Sequence, residues 1–431
     1  MDDLHTLDRN NIWHPFTPLQ GAGDPVLITS AKGVYLHTSD GRHIIDAISS
    51  WWVNLHGHAH PHIAKAIADQ ATKLEHVIFA GFTHEPAIKL SKNLLSILPP
   101  DQKKIFFSDN GSTAVEVALK MTFQYWYNQN IKKNKVIAFK GAYHGDTFGS
   151  MSVADRGLFT KPFFPYLFET SFIDFPEHGN DAEVIRQFQH LIAQKNVAAF
   201  IFEPLVQGAA GMRMYSADLL DKLIAYARNQ EVICIADEVF TCFGRTGKNF
   251  AVDYLNNKPD IIALSKGITG GFLPLGVTAC SEKIIAAFDS SDLEKTFFHG
   301  HSYTANPLAC AAANASFELL IDDSCRNRII KITNKHKQFA ESLQDHKNIS
   351  QVRTLGTILA IELISGEESA YANSLRRKIY PYFLEKNILL RPLGNVIYIL
   401  PPYVISDKEL DYIYKTIQDF LNTYEKLTVD K

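Results

Sequence analysis

Two kinds of hydrophobic pattern alternate along the middle of the chain. Unbroken apolar runs occur at residues 136–139, Val197–Phe202, 232–236 and Ile261–Leu264, with a shorter one inside residues 104–108. Runs of that length, bounded by turn-forming residues, predict buried strands. Between them lie stretches with the apolar spacing of helices, the longest at 114–128. Strand then helix, repeated, predicts an α/β fold with a mostly parallel sheet and ligands gathered along its carboxyl edge. Upstream, Pro61–Ala71 and 85–98 read as amphipathic helices, and 34–48 as a hairpin turning at Ser39-Asp40-Gly41-Arg42. Residues 1–30 are irregular. After about residue 321 the pattern changes to charged amphipathic helices and short strands, as in a separate small domain. There, 387–391 and 396–400 read as two strands about a turn.

The ends of the apolar runs carry the candidate chemistry. Ile261–Leu264 stops at Ser265-Lys266, and Gly267, Gly270 and Gly271 follow, so backbone can pass close to a bound group. Apolar chain before Lys266 and glycine-rich chain after it desolvate the amine. That favours the neutral form needed for a Schiff base with an aldehyde cofactor. Another run ends in Asp237-Glu238, 29 residues before Lys266. A carboxylate and a lysine at the ends of neighbouring strands face one crevice. Pyridoxal phosphate needs that pair, a lysine for its aldehyde and an acid for its pyridine nitrogen. Taken singly, Asp237 reads as a turn cap and Glu238 as a solvent-facing charge.

Other edges point the same way. The 104–108 strand, the turn Asp109-Asn110-Gly111-Ser112-Thr113 and the helix after it form a place for phosphate on free N–H groups. Capping by Ser112 or Thr113 uses the same location. Tyr143 follows the 136–139 run, where an aromatic can lie flat on a pyridine ring, and Glu203 follows Val197–Phe202. Trp51 and Trp52 either fill core or wall an apolar pocket whose ring faces meet a cationic group. The stretch 297–307, with His301-Ser302, precedes a helix and is a second candidate anion site. Arg391 reads as an edge charge or as a bidentate clamp for a carboxylate.

Composition narrows the classes. A chain of 431 residues is long enough for two domains, and 46% hydrophobic with 21% charged residues describes an ordinary soluble enzyme. A net charge of −3 without a basic cluster argues against nucleic acid or anionic membrane as a partner. No apolar run approaches the roughly 20 residues that cross a bilayer. The acidic, polar start MDDLHTLDRNN is neither signal nor transit peptide. Five scattered cysteines without C-x-x-C fit reduced thiols and a cytoplasmic location. His56, His58, His60 and His62 alternate, but Pro61 interrupts any strand and no carboxylate or cysteine completes a set. They are expected to cap and contact loops, with no metal.

The blocks I-A-D-E-V (235–239), C-F-G-R-T-G (242–247) and P-D-I-I-A-L-S-K-G-I-T-G-G-F-L-P-L-G (259–276) resemble the class III, fold-type-I pyridoxal-phosphate aminotransferases. The family reads glycine where this chain has Cys242, and the resemblance covers essentially the whole chain. It implies a large cofactor domain over 61–320 with a central, mostly parallel sheet. A smaller α+β domain would draw on both ends, from the arm at 1–60 and from 321–431. Lys266 would form the Schiff base, Asp237 would partner the pyridinium and Tyr143 would stack on the ring, with Glu203 beside it. Gly111 and Ser112 would bind phosphate, joined by His301 and Ser302 of the partner subunit in a homodimer with its active site at the interface. Phe16, Trp51, Tyr143, Gly300 and Arg391 would line the substrate pocket, with Trp52 and Tyr398 close by.

Four further blocks, I-W-H-P-F-T (12–17), S-S-W-W (49–52), Q-G-A-A-G-M-R-M-Y (207–215) and R-P-L-G-N-V-I-Y-I-L-P-P (391–402), are similar to the branch serving biotin synthesis. That branch converts 8-amino-7-oxononanoate to 7,8-diaminononanoate with S-adenosylmethionine as donor. Lysine as donor, or an ornithine-like or ω-amino acid substrate, is the alternative. The chain departs from the common pattern in two places: Phe16 stands where tyrosine is frequent, and His301-Ser302 stands for Pro-Thr.

Overall fold

In this computed structural model, which describes residues 3–177, 179–367 and 373–429, the chain opens with a short helix at Leu4–Asn11, capped by Asp3, within the stretch that reads as irregular, and then lays down β1 (Ile28–Lys32), β2 (Tyr35–Thr38) and β3 (His43–Asp46). These pair antiparallel, with β2 and β3 joined at the turn expected there. The central sheet then takes β4 (Gln102–Ser108), β5 (Lys135–Phe139), β6 (Thr170–Ile173) and β7 (Val197–Phe202). After a short ribbon of β8 (Val206–Gln207) and β9 (Arg213–Met214), β10 (Ile233–Asp237), β11 (Ile261–Leu264) and β12 (Gly276–Ser281) complete it. Its spatial order is β4-β12-β11-β10-β7-β5-β6. Only β12 runs against its neighbours, antiparallel to both β11 and β4. Every residue of β7, β10 and β11 is buried, which is why they read as unbroken apolar runs rather than alternating ones.

The remaining strands are β13 (Ile349–Leu355), β14 (Ile358–Leu363), β15 (Ile388–Leu389) and β16 (Val396–Ile399). β13, β14 and β16 form an antiparallel sheet, whereas β15 leaves it and pairs parallel with β3. The two strands expected about one turn at 392–395 therefore lie in different sheets. The turn closes tightly on itself through paired backbone bonds between Leu393 and Val396, 3.0 and 3.1 Å. That leaves 388–389 free to lie beside the first sheet.

Both ends of the chain meet over the central sheet. Leu400 N donates to Ala47 O, Tyr403 N to Leu55 O, and Ser49 Oγ to Leu400 O, all at 2.7–2.9 Å. The buried Arg245 guanidinium donates to Pro401 O (3.0 Å), Trp52 O (3.1 Å) and Asn54 O (3.0 Å). The alternating histidines disperse. His56 bonds Ser316, His58 bonds Asp46, His62 bonds Glu318, and His60 stands at the N-cap position of the Pro61–Ala71 helix.

The helix after β4 begins earlier than its apolar spacing suggests, at Gly111, and runs to Asn128. Its cap is Asn110, not Ser112 or Thr113. Asn110 Oδ1 accepts from Thr113 N at 2.9 Å, and Thr113 Oγ1 accepts from Asn110 N at 3.1 Å. The extended Asn110 backbone, φ −160°, suits it to that place, and Gly111 and Ser112 become the first helical residues.

Candidate active site

The carboxyl ends of β4, β5, β7, β10 and β11 open onto one cleft of about 770 Å³, into which Lys266, Asp237, Tyr143 and Glu203 all project from separate loops. A larger cleft of about 1170 Å³ adjoins it across Tyr143, Phe159 and Leu393. Its two guanidiniums, of Arg213 and Arg353, are already paired with Glu177 and Glu362. The chemistry-bearing set is in the smaller cleft.

Lys266 follows β11 by two residues and adopts a φ of +43°, a conformation that a residue with a side chain holds only when its surroundings impose it. Its Nζ stands 4.8 Å from the centre of the Trp52 ring and 6.0 Å from that of Phe240. Burial lowers its pKa, and the pull of Asp237 and Glu203 in the other direction is smaller. The amine is thereby biased toward its neutral, nucleophilic form.

Asp237 ends β10. Its Oδ1 accepts from Val239 N at 3.0 Å, and its Oδ2 lies 2.7 Å from His144 Nδ1. The His144 side chain is fully enclosed, and its Nε2 has no hydrogen-bond partner among the described residues. Sequence reasoning singled out Tyr143 and passed over His144. The available signal was a polar residue three places beyond Gly141, just after a buried strand, but its partner is 93 positions away. Glu238, which taken singly reads as a solvent-facing charge, is buried. It accepts from Val252 N (2.7 Å) and Ala251 N (3.1 Å), so it anchors the next loop instead.

Tyr143 donates its N–H to Glu203 Oε1 (3.1 Å) and its hydroxyl to Asp146 Oδ2 (3.0 Å). Glu203 Oε2 accepts from Gly208 N at 2.9 Å, and burial pushes the carboxyl up to about 7. Glu203 therefore sits on the cleft but spends both oxygens on backbone.

At the far end, the Gly111–Asn128 helix points its N-terminus into the cleft. A Cβ at Gly111 would stand 2.5 Å from Val239, and one at Gly276 would stand 2.3 Å from Asn110 O. Only glycine lets these segments close around the helix start, whose first N–H groups favour an anion. Ser112 Oγ accepts from Thr147 N at 3.0 Å, which ties the Tyr143 loop to the same point.

The outer wall comes from residues 49–52. Ser49, Ser50, Trp51 and Trp52 have φ of 53°, 44°, 69° and 75°, a left-handed turn of four residues that all carry a Cβ. Each such residue costs about 1–2 kcal/mol. Trp52 packs on Phe240 at 4.5 Å, and its Nε1 donates to Tyr398 OH at 3.0 Å. Trp51 meets Phe16 edge-on at 5.5 Å and lies under Arg391, whose Cζ is 4.7 Å from the ring centre. Phe16, Trp51, Trp52, Tyr143, Lys266, Gly111 and Ser112 line the cleft together. Tyr398 does not line it, because it is buried behind Trp52 as that ring's hydrogen-bond acceptor. Gly300, His301 and Ser302 are also off this chain's cleft, in the stretch before the Pro307–Leu320 helix.

A desolvated lysine, a carboxylate steadied by a histidine, and a helix N-terminus closed by glycines together make a donor set with the chemistry that pyridoxal phosphate requires. Known proteins point to the same chemistry. The family model for class-III aminotransferases matches residues 20–421. An adenosylmethionine-8-amino-7-oxononanoate aminotransferase of Synechococcus elongatus is 48% identical over 96% of this chain and 98% of its own. The protein of that name from Geobacter sulfurreducens is 37% identical over 97% of each chain. Among solved structures, the Methanocaldococcus jannaschii protein of the same name superposes with a TM-score of 0.91 at 35% identity, covering 96% of this chain and 98% of that one. An amine transaminase from an uncultivated Pseudomonas species, in its PLP-bound form, gives 0.89 at 27% identity over 95% and 97%.

Proposed function

The chain belongs to the class-III aminotransferase family, and on that premise we propose that it moves an amino group from S-adenosyl-L-methionine to 8-amino-7-oxononanoate. The product is 7,8-diaminononanoate, for biotin. The observation that carries the reading is Lys266, with its pKa lowered by burial, on one cleft with the Asp237–His144 pair and two tryptophans. Bound there, pyridoxal 5'-phosphate supplies an aldehyde to take up the amino group and a ring to draw electrons from the reacting carbon.

The chain's own residues do the rest. Lys266 Nζ would hold the cofactor's aldehyde and would move the proton at the donor's α-carbon. Asp237, steadied by Val239 N and His144, would partner the ring nitrogen. The N–H groups of Gly111 and Ser112 would hold phosphate, Tyr143 would cover the ring, and in a homodimer Ser302 of a second copy would add a hydroxyl. The faces of Trp51 and Trp52 attract a sulfonium, and the Arg391 fork binds the acceptor's carboxylate. One cleft serves donor and acceptor in turn, so ping-pong kinetics follow.

The test follows the cofactor spectrum of holoenzyme as each donor is added, with and without Lys266→Ala. S-adenosylmethionine should shift the spectrum of the wild type and leave the variant's unchanged. Turnover of Lys266→Ala near the wild-type rate would end the assignment of the lysine. A shift with lysine and none with S-adenosylmethionine would replace the donor.

A further inference from the structure

The left-handed Ser49–Trp52 turn is not explained by its own residues, since neither serine nor tryptophan favours that conformation. Its consequence is specific. A strand would send two adjacent rings to opposite faces of a sheet, whereas this turn brings each ring to a different part of the same cleft. Trp52 faces Lys266, and Trp51 faces Phe16 and Arg391.

Leu400, Tyr398 and Arg245 bind the turn from elsewhere in the chain, and a carboxylate holds it from behind. Asp46 is fully buried, and its Oδ2 accepts from Ser50 Oγ at 2.7 Å and lies 2.9 Å from His58 Nε2. Its Oδ1 accepts from Ile48 N at 3.2 Å. One side chain thus holds the residue entering the turn, a residue inside it and the segment leaving it. His58 is braced in turn, its Nδ1 3.2 Å from Asn54 Nδ2, and Asn54 Oδ1 accepts from Gly57 N at 2.8 Å. None of Asp46, Ser50 and His58 lines the cleft.

We infer that Asp46, acting through Ser50 and His58, is a positioning residue for substrate recognition: it maintains the strained turn that fixes both tryptophans before Lys266. This rests on reading Trp51 and Trp52 as substrate walls.

The test compares Ser50→Ala with Ser50→Gly in holoenzyme, alongside Asp46→Asn. Both Ser50 variants lose the bond to Asp46, but glycine takes a φ of 44° without strain, so the turn survives in one and relaxes in the other. Ser50→Ala and Asp46→Asn should raise KM for 8-amino-7-oxononanoate about tenfold and weaken the near-ultraviolet circular dichroism of tryptophan. The lysine-bound cofactor absorbance should stay unchanged. Ser50→Gly should remain within about threefold of wild-type KM and keep the tryptophan signal. Glycine no better than alanine, or KM and tryptophan signal unmoved in Ser50→Ala and Asp46→Asn, would overturn the inference. If the wild type does not use the oxononanoate, the functional reading fails instead. The tryptophan signals then still decide whether Asp46 holds the turn. If Ser50→Ala does not fold, Asp46→Asn, which keeps the shape of the side chain, decides the matter by the same two readouts.

Discussion

Trp51 is flanked by two side chains of opposite character, the Phe16 ring at 5.5 Å and the Arg391 guanidinium at 4.7 Å. Stacking on the indole holds the planar fork in place, so less freedom is lost when it meets a carboxylate. Arg391→Ala should therefore harm the acceptor half-reaction far more than the donor half-reaction. The loss of a charge-assisted bond, about 1.5–3 kcal/mol, should raise KM for the oxononanoate roughly ten- to a hundredfold. Rapid-mixing measurements of the two half-reactions would check this, and equal damage to both would mean that Arg391 also serves the donor. Phe16 lacks the hydroxyl that tyrosine would bring, and its ring makes edge contacts to Trp51 and Phe159. Cys242, where the family commonly has glycine, is buried with Sγ 3.8 Å from Ser265 O. Burial drives its thiol pKa well up, so it behaves as packing beneath the lysine loop and not as a nucleophile.

Among elements, the Gly111–Asn128 helix does two things with one end: it closes its capping box, and it offers its N–H groups to the cleft. Asn110→Ala should cost about 1 kcal/mol of stability and should also weaken cofactor retention. Thermal unfolding and the rate of cofactor loss on dialysis are the measurements. Retention unchanged at lowered stability would separate the two roles. Sequence pattern revealed these strands and their edges because strands buried on both faces are unbroken apolar runs, and Asp237 and Lys266 interrupt them abruptly. It could not reveal what depends on pairing over distance. The reversed direction of β12, the separation of β15 from β16, and the bond from His144 to Asp237 have no local signature. Nor does the left-handed turn at 49–52, whose residues also bond Leu400, Tyr398 and Arg245 far along the chain.

At the scale of the molecule, buried ionisable groups set the response to acid. Burial lowers His336 to about 4 and His56 to about 3, both below the ordinary value of 6.5. In the unfolded chain they take up protons as pH falls through 6.5, and in the folded protein they do so only near 4 and 3. Across that window the unfolded state binds more protons, and stability falls with pH. Glu203 and Glu238, pushed up to about 7, act oppositely between 7 and 4.5, since there the folded state binds the extra protons. These four terms roughly cancel down to pH 4.5, below which the histidines are joined by carboxylates whose pKa is lowered by hydrogen bonds, such as Asp174 beside Lys140 and Asp407 beside Lys331. Denaturant titrations should show a shallow dependence from pH 6.5 to 4.5 and a steep loss beneath it. His336→Gln, able to keep partners in Tyr414 and Thr357, should remove from the fall between pH 6.5 and 4 a contribution on the order of 3 kcal/mol.

The bond from Trp52 Nε1 to Tyr398 OH spans 346 positions of sequence, and Ser49 reaches as far forward to Leu400. A ribosome adding about 5–20 residues per second needs roughly 20–70 s to travel that distance. The sheet that carries Asp237 and Lys266 is complete once Ser281 has emerged, so the reactive edge can exist while Trp52 has Phe240, Arg245 and the Asp46-held turn but still lacks its distant anchors. A nascent chain halted between residues 281 and 398 would carry the lysine and the carboxylate, yet its tryptophan wall would be fastened on one side alone.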